Sequence, residues 1–394
     1  MHFDVETLRH DFPALAEGLA HFDGPGGTQV PAAVSDAVRD AMRSAVSNRH
    51  GPFASSRRAD AIVDAAREAV ADLVGGDPAG VVLGQSMTAN TYVMAGALAR
   101  TWRPGDEVVL SRLDHDADVR PWVQAAARAG AVVRWAEIDP ATAELPVEQY
   151  DELVTERTRL VAVTAASNAI GTRPDVRGIA DRAHAVGAVV HVDGVHATPH
   201  LPTDVRELGA DFYATSAYKW YGPHIGCTVG DPALLETLRP DKLLPSSDAV
   251  PDRFEHGTSN FAAYAGVTAA VDWIAAHGEG ATRRARVLDA MTAISSYEQE
   301  VFGQLLDGLA ACDDVTLVGA PARRTPTLAF TVAGRTPIQV SADLGNQGIA
   351  VWAGNYYAVE LMSALGLEDR GGAVRAGVVC YTTAADVDRL LAAL

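Results

Sequence analysis

The sequence predicts an α/β protein, with a mostly parallel sheet flanked by helices and a smaller α+β unit after it. Three observations predict this. Short β-rich runs alternate with Ala-rich stretches of helical length between about residues 80 and 230. Polar, Gly- or hydroxyl-bearing turns follow several of these runs. Beyond about residue 309 the alternation gives way to strands and helices in irregular order.

The expected strands are 81–83, 107–110, 131–135, 160–164, 188–192 and 212–215. Several are apolar almost throughout, as strands covered on both faces are, which favours parallel pairing with helical crossovers. Between two of them, Val176, Ile179, Ala180, Ala183 and Val186 recur at helical spacing and stop before Gly187, predicting a helix over 176–186. A long helical region over 261–309 follows. Then come strands at 316–318 and 327–332, a helix at 338–344, strands at 350–352 and 373–381, and a terminal helix at 384–394. The division expected is a large domain over 20–280 and a small one from 1–19 and 281–394.

Thirty-two Lys plus Arg against fifty Asp plus Glu leave a net charge of −18, which argues against a phosphate-neutralising nucleic-acid surface. With 394 residues, 48% of them hydrophobic, the chain can bury a large core, yet no apolar run approaches membrane-span length. The opening MHFDVETLRHDFPALAEG has no basic n-region or long apolar h-region, so the expected location is cytoplasmic. Cys227, Cys312 and Cys380 are too few for a disulfide framework and lack C-x-x-C spacing. The Ala, Arg, Asp and Val bias points to a GC-rich genome and specialised metabolism.

Two segments carry the chemistry. The run Val189-Val190-His191-Val192-Asp193 ends an apolar strand on a carboxylate, whose burial is costly unless a cation meets it. Further on, Ala217-Tyr218-Lys219-Trp220-Tyr221-Gly222-Pro223 sets a lysine among aromatics, where burial lowers an amine's pKa. By residue type alone Lys219 reads as a solvated surface lysine and Asp193 as a turn residue or cap; their combination points elsewhere. Before them, Gly84-Gln85-Ser86-Met87-Thr88-Ala89-Asn90 opens an apolar helix, offering either a phosphate site or an ordinary N-cap.

These segments, from Phe22-Asp23-Gly24-Pro25-Gly26-Gly27-Thr28 to Val374-Arg375-Ala376-Gly377, resemble in order the class V aminotransferase and cysteine-desulfurase-like family of fold-type I pyridoxal-phosphate enzymes. The resemblance implies pyridoxal 5'-phosphate as cofactor, held covalently by Lys219, with Asp193 on its pyridinium nitrogen. It implies that His115, in Asp114-His115-Asp116-Ala117-Asp118-Val119-Arg120-Pro121-Trp122, stacks on the ring. Asn168 of Ser167-Asn168-Ala169-Ile170-Gly171-Thr172 and His196 then lie beside the ring hydroxyl, while Ser86, Met87, Thr88 and Ser216 cradle the phosphate. Thr258, in Phe254-Glu255-His256-Gly257-Thr258-Ser259-Asn260, reaches the neighbouring subunit's phosphate, so a homodimer with shared active sites is implied. Arg375 grips the α-carboxylate of a small amino-acid substrate, and Arg49, in Asn48-Arg49-His50-Gly51, approaches the partner's substrate pocket.

One loop departs from the desulfurase pattern. It reads Trp352-Ala353-Gly354-Asn355-Tyr356-Tyr357-Ala358, with Tyr357 where a desulfurase carries its nucleophilic Cys. A tyrosine cannot hold sulfur as a persulfide. Asn355, Tyr356 and Tyr357 are therefore expected at the substrate, the Tyr357 hydroxyl serving as acid or base or the aromatics simply packing. The expected activity is β-elimination from a cysteine S-conjugate. Decarboxylation with or without oxidative deamination, transamination and epimerisation use nearly the same residues. Two other classes are a metal-dependent hydrolase built on His191, Asp193, His196 and His200, and a silent scaffold.

Overall fold

A computed structural model describes residues 4–394. The central sheet has seven strands: β2 (Val81–Gly84), β3 (Glu107–Ser111), β4 (Val132–Ala136), β5 (Thr158–Thr164), β6 (Val189–Asp193), β7 (Phe212–Ser216) and β8 (Gly226–Gly230). They lie in the order β2-β8-β7-β6-β5-β3-β4. Only β8 runs against its neighbours, pairing antiparallel with both β2 and β7. Sequence reading did not find β8, because Gly226 and Gly230 at its ends read as turn residues around only three others.

Val81, Val82 and Leu83 are all buried, as are Val108, Val109 and Leu110, since helices cover both faces of the sheet. One of these helices, Phe261–Ala276, is capped by Asn260, whose Oδ1 accepts from the Ala263 N–H at 3.1 Å. It buries Val267, Val271 and Ile274 against helices Ala32–Arg43 and Ala54–Val74, each such side chain contributing roughly 1.5–3 kcal/mol. Gly266 permits this approach: a Cβ there would sit 2.7 Å from Val38 Cγ2.

The helical region expected over 261–309 is two helices, Phe261–Ala276 and Arg283–Ala310, broken around Gly278 and Gly280. Gly280 has a φ of 151°, and a Cβ on Gly278 would meet the Arg286 carbonyl at 2.1 Å.

The remaining strands are β1 (Ala20–His21), β9 (Val315–Leu317), β10 (Thr327–Val332), β11 (Ile349–Ala350), β12 (Trp352–Gly354) and β13 (Ala373–Gly377). Four form the antiparallel sheet β12-β13-β10-β9, and β1 pairs in parallel with β11. The strand expected over 373–381 ends at Gly377. Val378, Val379, Cys380 and Tyr381 are buried in a turn rather than a ladder, so their apolar character reports burial alone. The run expected at 350–352 is likewise split between β11 and β12.

Helix Arg283–Ala310 serves two cores. Val287, Met291 and Ile294 join the one under the large sheet, while Phe302, Leu305 and Leu309 join Phe22, Phe330, Leu344 and Leu390. We propose the division into 20–280 and 1–19 with 281–394, this helix being the strut between them; the N-terminal segment departs from it, since Leu8 and Phe12 pack in the first core and Ala20 and Phe22 in the second. Among the described residues no helix is long and apolar enough to cross a membrane.

Candidate active site

Because β2, β3, β5, β6 and β7 point the same way, their carboxyl ends gather at one edge of the sheet. There a chamber of about 80 Å³ is bounded by Ser86, Met87 and Thr88 after β2, His115 after β3, Asp193 and His196 after β6, and Ser216 and Lys219 after β7. It shares Thr88, His115, Asn168, Tyr218 and Lys219 with an outer cleft of about 710 Å³, which Asn355, Tyr356, Tyr357 and Arg375 also line. The structure thus brings together most residues singled out from the sequence.

Lys219 ends a short turn after β7 and is buried, its Nζ donating to the Pro25 carbonyl. Burial, helped by the nearby Arg375 cation and opposed by Asp193, pulls its amine down to about 7. Asp193 caps β6 with Oδ1 accepting from the Val195 N–H at 2.8 Å. Burial raises its pKa against that bond and the neighbouring His191 and Lys219. His115 is held near 3, first by burial and then by Lys219 and Arg375, so it is a neutral ring. Its Nδ1 accepts from the Ala117 N–H at 3.0 Å.

The start of helix Met87–Ala99 forms another wall, with Ser86 Oγ accepting from the Ala89 N–H at 3.1 Å. Close beneath runs β8, where a Cβ on Gly226 would lie 2.1 Å from the Met87 nitrogen. Glycine is required there by the approach of two backbones. On the facing side, Asn168 donates from Nδ2 to the Tyr356 carbonyl at 2.9 Å, and its own carbonyl accepts from Arg375 Nη1 at 2.8 Å. Arg375 lies in the middle of β13, its guanidinium 4.5 Å from the Tyr356 ring centroid. Burial lowers it to about 10, and it makes no salt bridge among the described residues.

Pyridoxal phosphate fits this donor set. Asn168 Oδ1 and both His196 ring nitrogens are buried without partners, and the Asp193 carboxylate faces the chamber, where a pyridinium cation would offset its desolvation. The same chamber is lined by the N-terminus of helix Met87–Ala99 and the Ser216 hydroxyl, donors suited to a phosphate. Arg375, buried and unpaired, suits a carboxylate.

The loop holding Tyr357 is strained. Tyr356 and Tyr357 both adopt left-handed backbone, at φ 56° and 59°, which costs ~1–3 kcal/mol each. The Tyr357 carbonyl accepts from the Asp116 N–H at 2.7 Å, and its N–H donates to Asn355 Oδ1 at 3.1 Å. Its ring stacks on His115, centroids 5.4 Å apart and planes 26° off parallel. No cysteine lines either cavity among the described residues: Cys227 sits in β8 and Cys380 in the buried turn.

Two expected residues are elsewhere in the chain. Thr258 and Arg49 share a separate cleft of about 390 Å³, where Arg49 donates to Asp60 at 3.1 Å and to Asp252 at 2.9 Å. The metal arrangement is not formed either. His191 turns to Asp118, 2.7 Å away, His200 pairs with Glu298 at 2.8 Å, and among the described residues no three His, Cys, Asp or Glu side chains are grouped to hold a metal ion. Two of the three imidazoles are drawn to separate buried acids, and His196 faces the chamber without a partner.

Sequence reading missed the residues behind Asp193. Asp118, fully buried, accepts from Trp122 Nε1 at 3.0 Å and faces Asp114, which Ser111 Oγ also reaches. Asp114 Oδ1 and Asp118 Oδ2 have no hydrogen-bond partner. Burial pushes both acids well up and Asp193 adds to both, with Asp118 adding further to the rise of Asp114. The spacing of Asp114, Asp118 and Trp122, four apart, was the available signal.

The family model described as Aminotransferase class-V matches residues 20–390. An uncharacterized protein of Mycobacterium tuberculosis, MT3887, is 38% identical over 100% of this chain and 99% of its own length. A probable cysteine desulfurase of Mycolicibacterium paratuberculosis is 33% identical over all of this chain, which spans 58% of that relative. The structure of the cysteine desulfurase CsdA (S-sulfonic acid) from Escherichia coli superimposes with a TM-score of 0.88 at 30% identity, covering 100% of this chain and 98% of that one.

Proposed function

The chain belongs to the class-V aminotransferase family and is a pyridoxal-phosphate enzyme of fold type I, and on that premise we propose that it is a lyase cleaving the C–S bond of a cysteine S-conjugate. The observation that carries this reading is the wall opposite Lys219: Tyr356 and Tyr357 stand there, and among the described residues no cysteine lines the cleft. Sulfur must then leave with its own substituent rather than pass to the protein.

Arg375 takes the substrate carboxylate in its free guanidinium edge and so orients Cα toward Lys219. Bound pyridoxal phosphate supplies the electron sink for a bond broken at Cα, with Asp193 keeping its ring nitrogen protonated. Lys219, close to half neutral at pH 7, takes the Cα proton. The C–S bond then breaks with its electron pair going to sulfur, which leaves as a thiol on protonation. Water enters, and the balance is RSCH2CH(NH3+)COO− plus H2O giving RSH, pyruvate and ammonium. His115, neutral and stacked on Tyr357, would hold the cofactor ring when it is bound.

The same premise supports a cytoplasmic homodimer. Thr258 and Arg49, sharing a cleft apart from Lys219, would serve the partner's site.

The test is product analysis of the PLP-loaded protein with several cysteine S-conjugates and with cysteine itself. Thiol with matching pyruvate is expected. Alanine with transferable sulfur from cysteine would replace the reading by desulfuration, and carbon dioxide with an intact C–S bond would replace it by decarboxylation.

A further inference from the structure

We propose that the outer cleft is a subsite for an uncharged aromatic group on the substrate side chain, walled by Trp352, Tyr357 and Tyr92. The inference rests on the reading that the substrate Cα faces Lys219, and it deepens that reading by specifying what lies beyond the β-carbon.

Exposure is the first observation. Among the described residues four large aromatic side chains stand open to solvent, Phe53, Tyr92, Trp352 and Tyr357, and the last three line this one cleft. Trp352 is 55% and Tyr357 70% exposed. Gathered aromatic surface of this kind marks a recognition site more often than chance exposure.

Charge is the second. Arg120 and Asp116 also line the cleft, but Arg120 Nη2 is 2.8 Å from Asp116 and 3.4 Å from Glu360. Arg112 holds the other Glu360 oxygen at 2.8 Å. These charges neutralise one another, and Arg375 is reserved for the α-carboxylate. Arg49, which the homodimer would bring to this site, is itself paired with Asp60 and Asp252, so a charged substituent would be desolvated with no free counter-ion.

Volume and rigidity agree. The cleft of about 710 Å³ runs on past Lys219 and His115 to the three aromatics, leaving room beyond the cofactor and the amino-acid backbone for a side-chain substituent. The walls are set in advance: Trp352 lies over Gly26, where a Cβ would meet its Nε1 at 2.7 Å, and Tyr357 is clamped in left-handed backbone by Asp116 and Asn355. Little ordering remains for binding to supply.

The experiment titrates holoenzyme with L-phenylalanine, L-leucine and L-glutamate, none of which has a β-leaving group, following the cofactor absorption band and the heat of binding. Phenylalanine should bind about two- to tenfold tighter than leucine, the worth of aromatic contacts beyond area, and glutamate should bind weakest. Trp352→Phe should keep the phenylalanine-to-leucine ratio and Trp352→Ser should lower it toward one. Tyr92→Ser, on a different element, should lower it too. A wild-type ratio near one, or a ratio unmoved by both Ser variants, overturns the subsite. Turnover of S-phenyl- and S-methyl-L-cysteine separates the two proposals. Aromatic preference in binding with no thiol from either conjugate sinks the lyase and keeps the subsite; equal thiol release with no aromatic preference does the reverse.

Discussion

Stripped of cofactor, the protein should capture pyridoxal phosphate at a rate that levels off just above neutrality. Only the neutral Lys219 amine can attack the aldehyde, and burial lowers its pKa to about 7 from 10.5. At pH 7 about half of it is then neutral, against roughly one part in 3,000 for an unperturbed lysine, a gain of about 1,500-fold in the reactive form. The slope discriminates better than the rate. From pH 7 to 9 the neutral fraction of Lys219 rises only about twofold, whereas that of an ordinary lysine rises about a hundredfold.

Stopped-flow absorbance of apoenzyme mixed with pyridoxal phosphate measures this, and referencing to a simple alkylamine removes the aldehyde's own titration. Arg375→Met removes the second cause of the lowering and should move the midpoint up. Burial, the largest cause, keeps it well below 10.5. Asp193→Asn removes the opposing charge and should move the midpoint down. A wild-type rate still climbing about a hundredfold between pH 7 and 9 would refute the reasoning.

Asp118→Asn should stabilise the protein at alkaline pH. The folded pKa values of Asp114 and Asp118 lie above the unfolded ones, so the folded state binds more protons and stability falls as pH rises through that window. An amide at 118 can donate to the orphaned Asp114 Oδ1 and still accept from Trp122, giving a gain of ~1–3 kcal/mol near pH 8 that shrinks on acidification. Denaturant melts at several pH values decide it, and a variant with the wild-type pH slope would contradict the raised pKa of Asp118. Tyr357→Phe keeps the ring on His115 and should leave kcat within about threefold; a loss on the order of 100-fold would make the hydroxyl an acid–base group.

Elements built from continuous apolar runs were legible because burial on both faces leaves no polar alternation to misread. Strands β2, β5 and β6 came out within a residue or two of their positions. Strand β8 did not, since its role depends on glycines that fit only because Ser86 and Met87 pass beside Gly226. The run at 378–381 misled for the opposite reason, being apolar for a buried turn. In the candidate site, Lys219, Asp193, His115 and Asn168, singled out through the family resemblance, lie around one chamber. The aromatic cleft wall was only partly visible, since Tyr92 sits on a helix far in sequence from Trp352 and Tyr357.

The order of its motifs tied the sequence to the family and, through that resemblance, to the cofactor chemistry, while its apolar runs placed the strand ends that present Lys219 and Asp193. Only the tertiary structure decided how they are tuned. The lowered pKa of Lys219 comes from burial and from Arg375 on another sheet, and the raised pKa values of Asp114 and Asp118 from their burial beside Asp193. Desolvation and Coulomb energies depend on distance in space, which chain order does not encode.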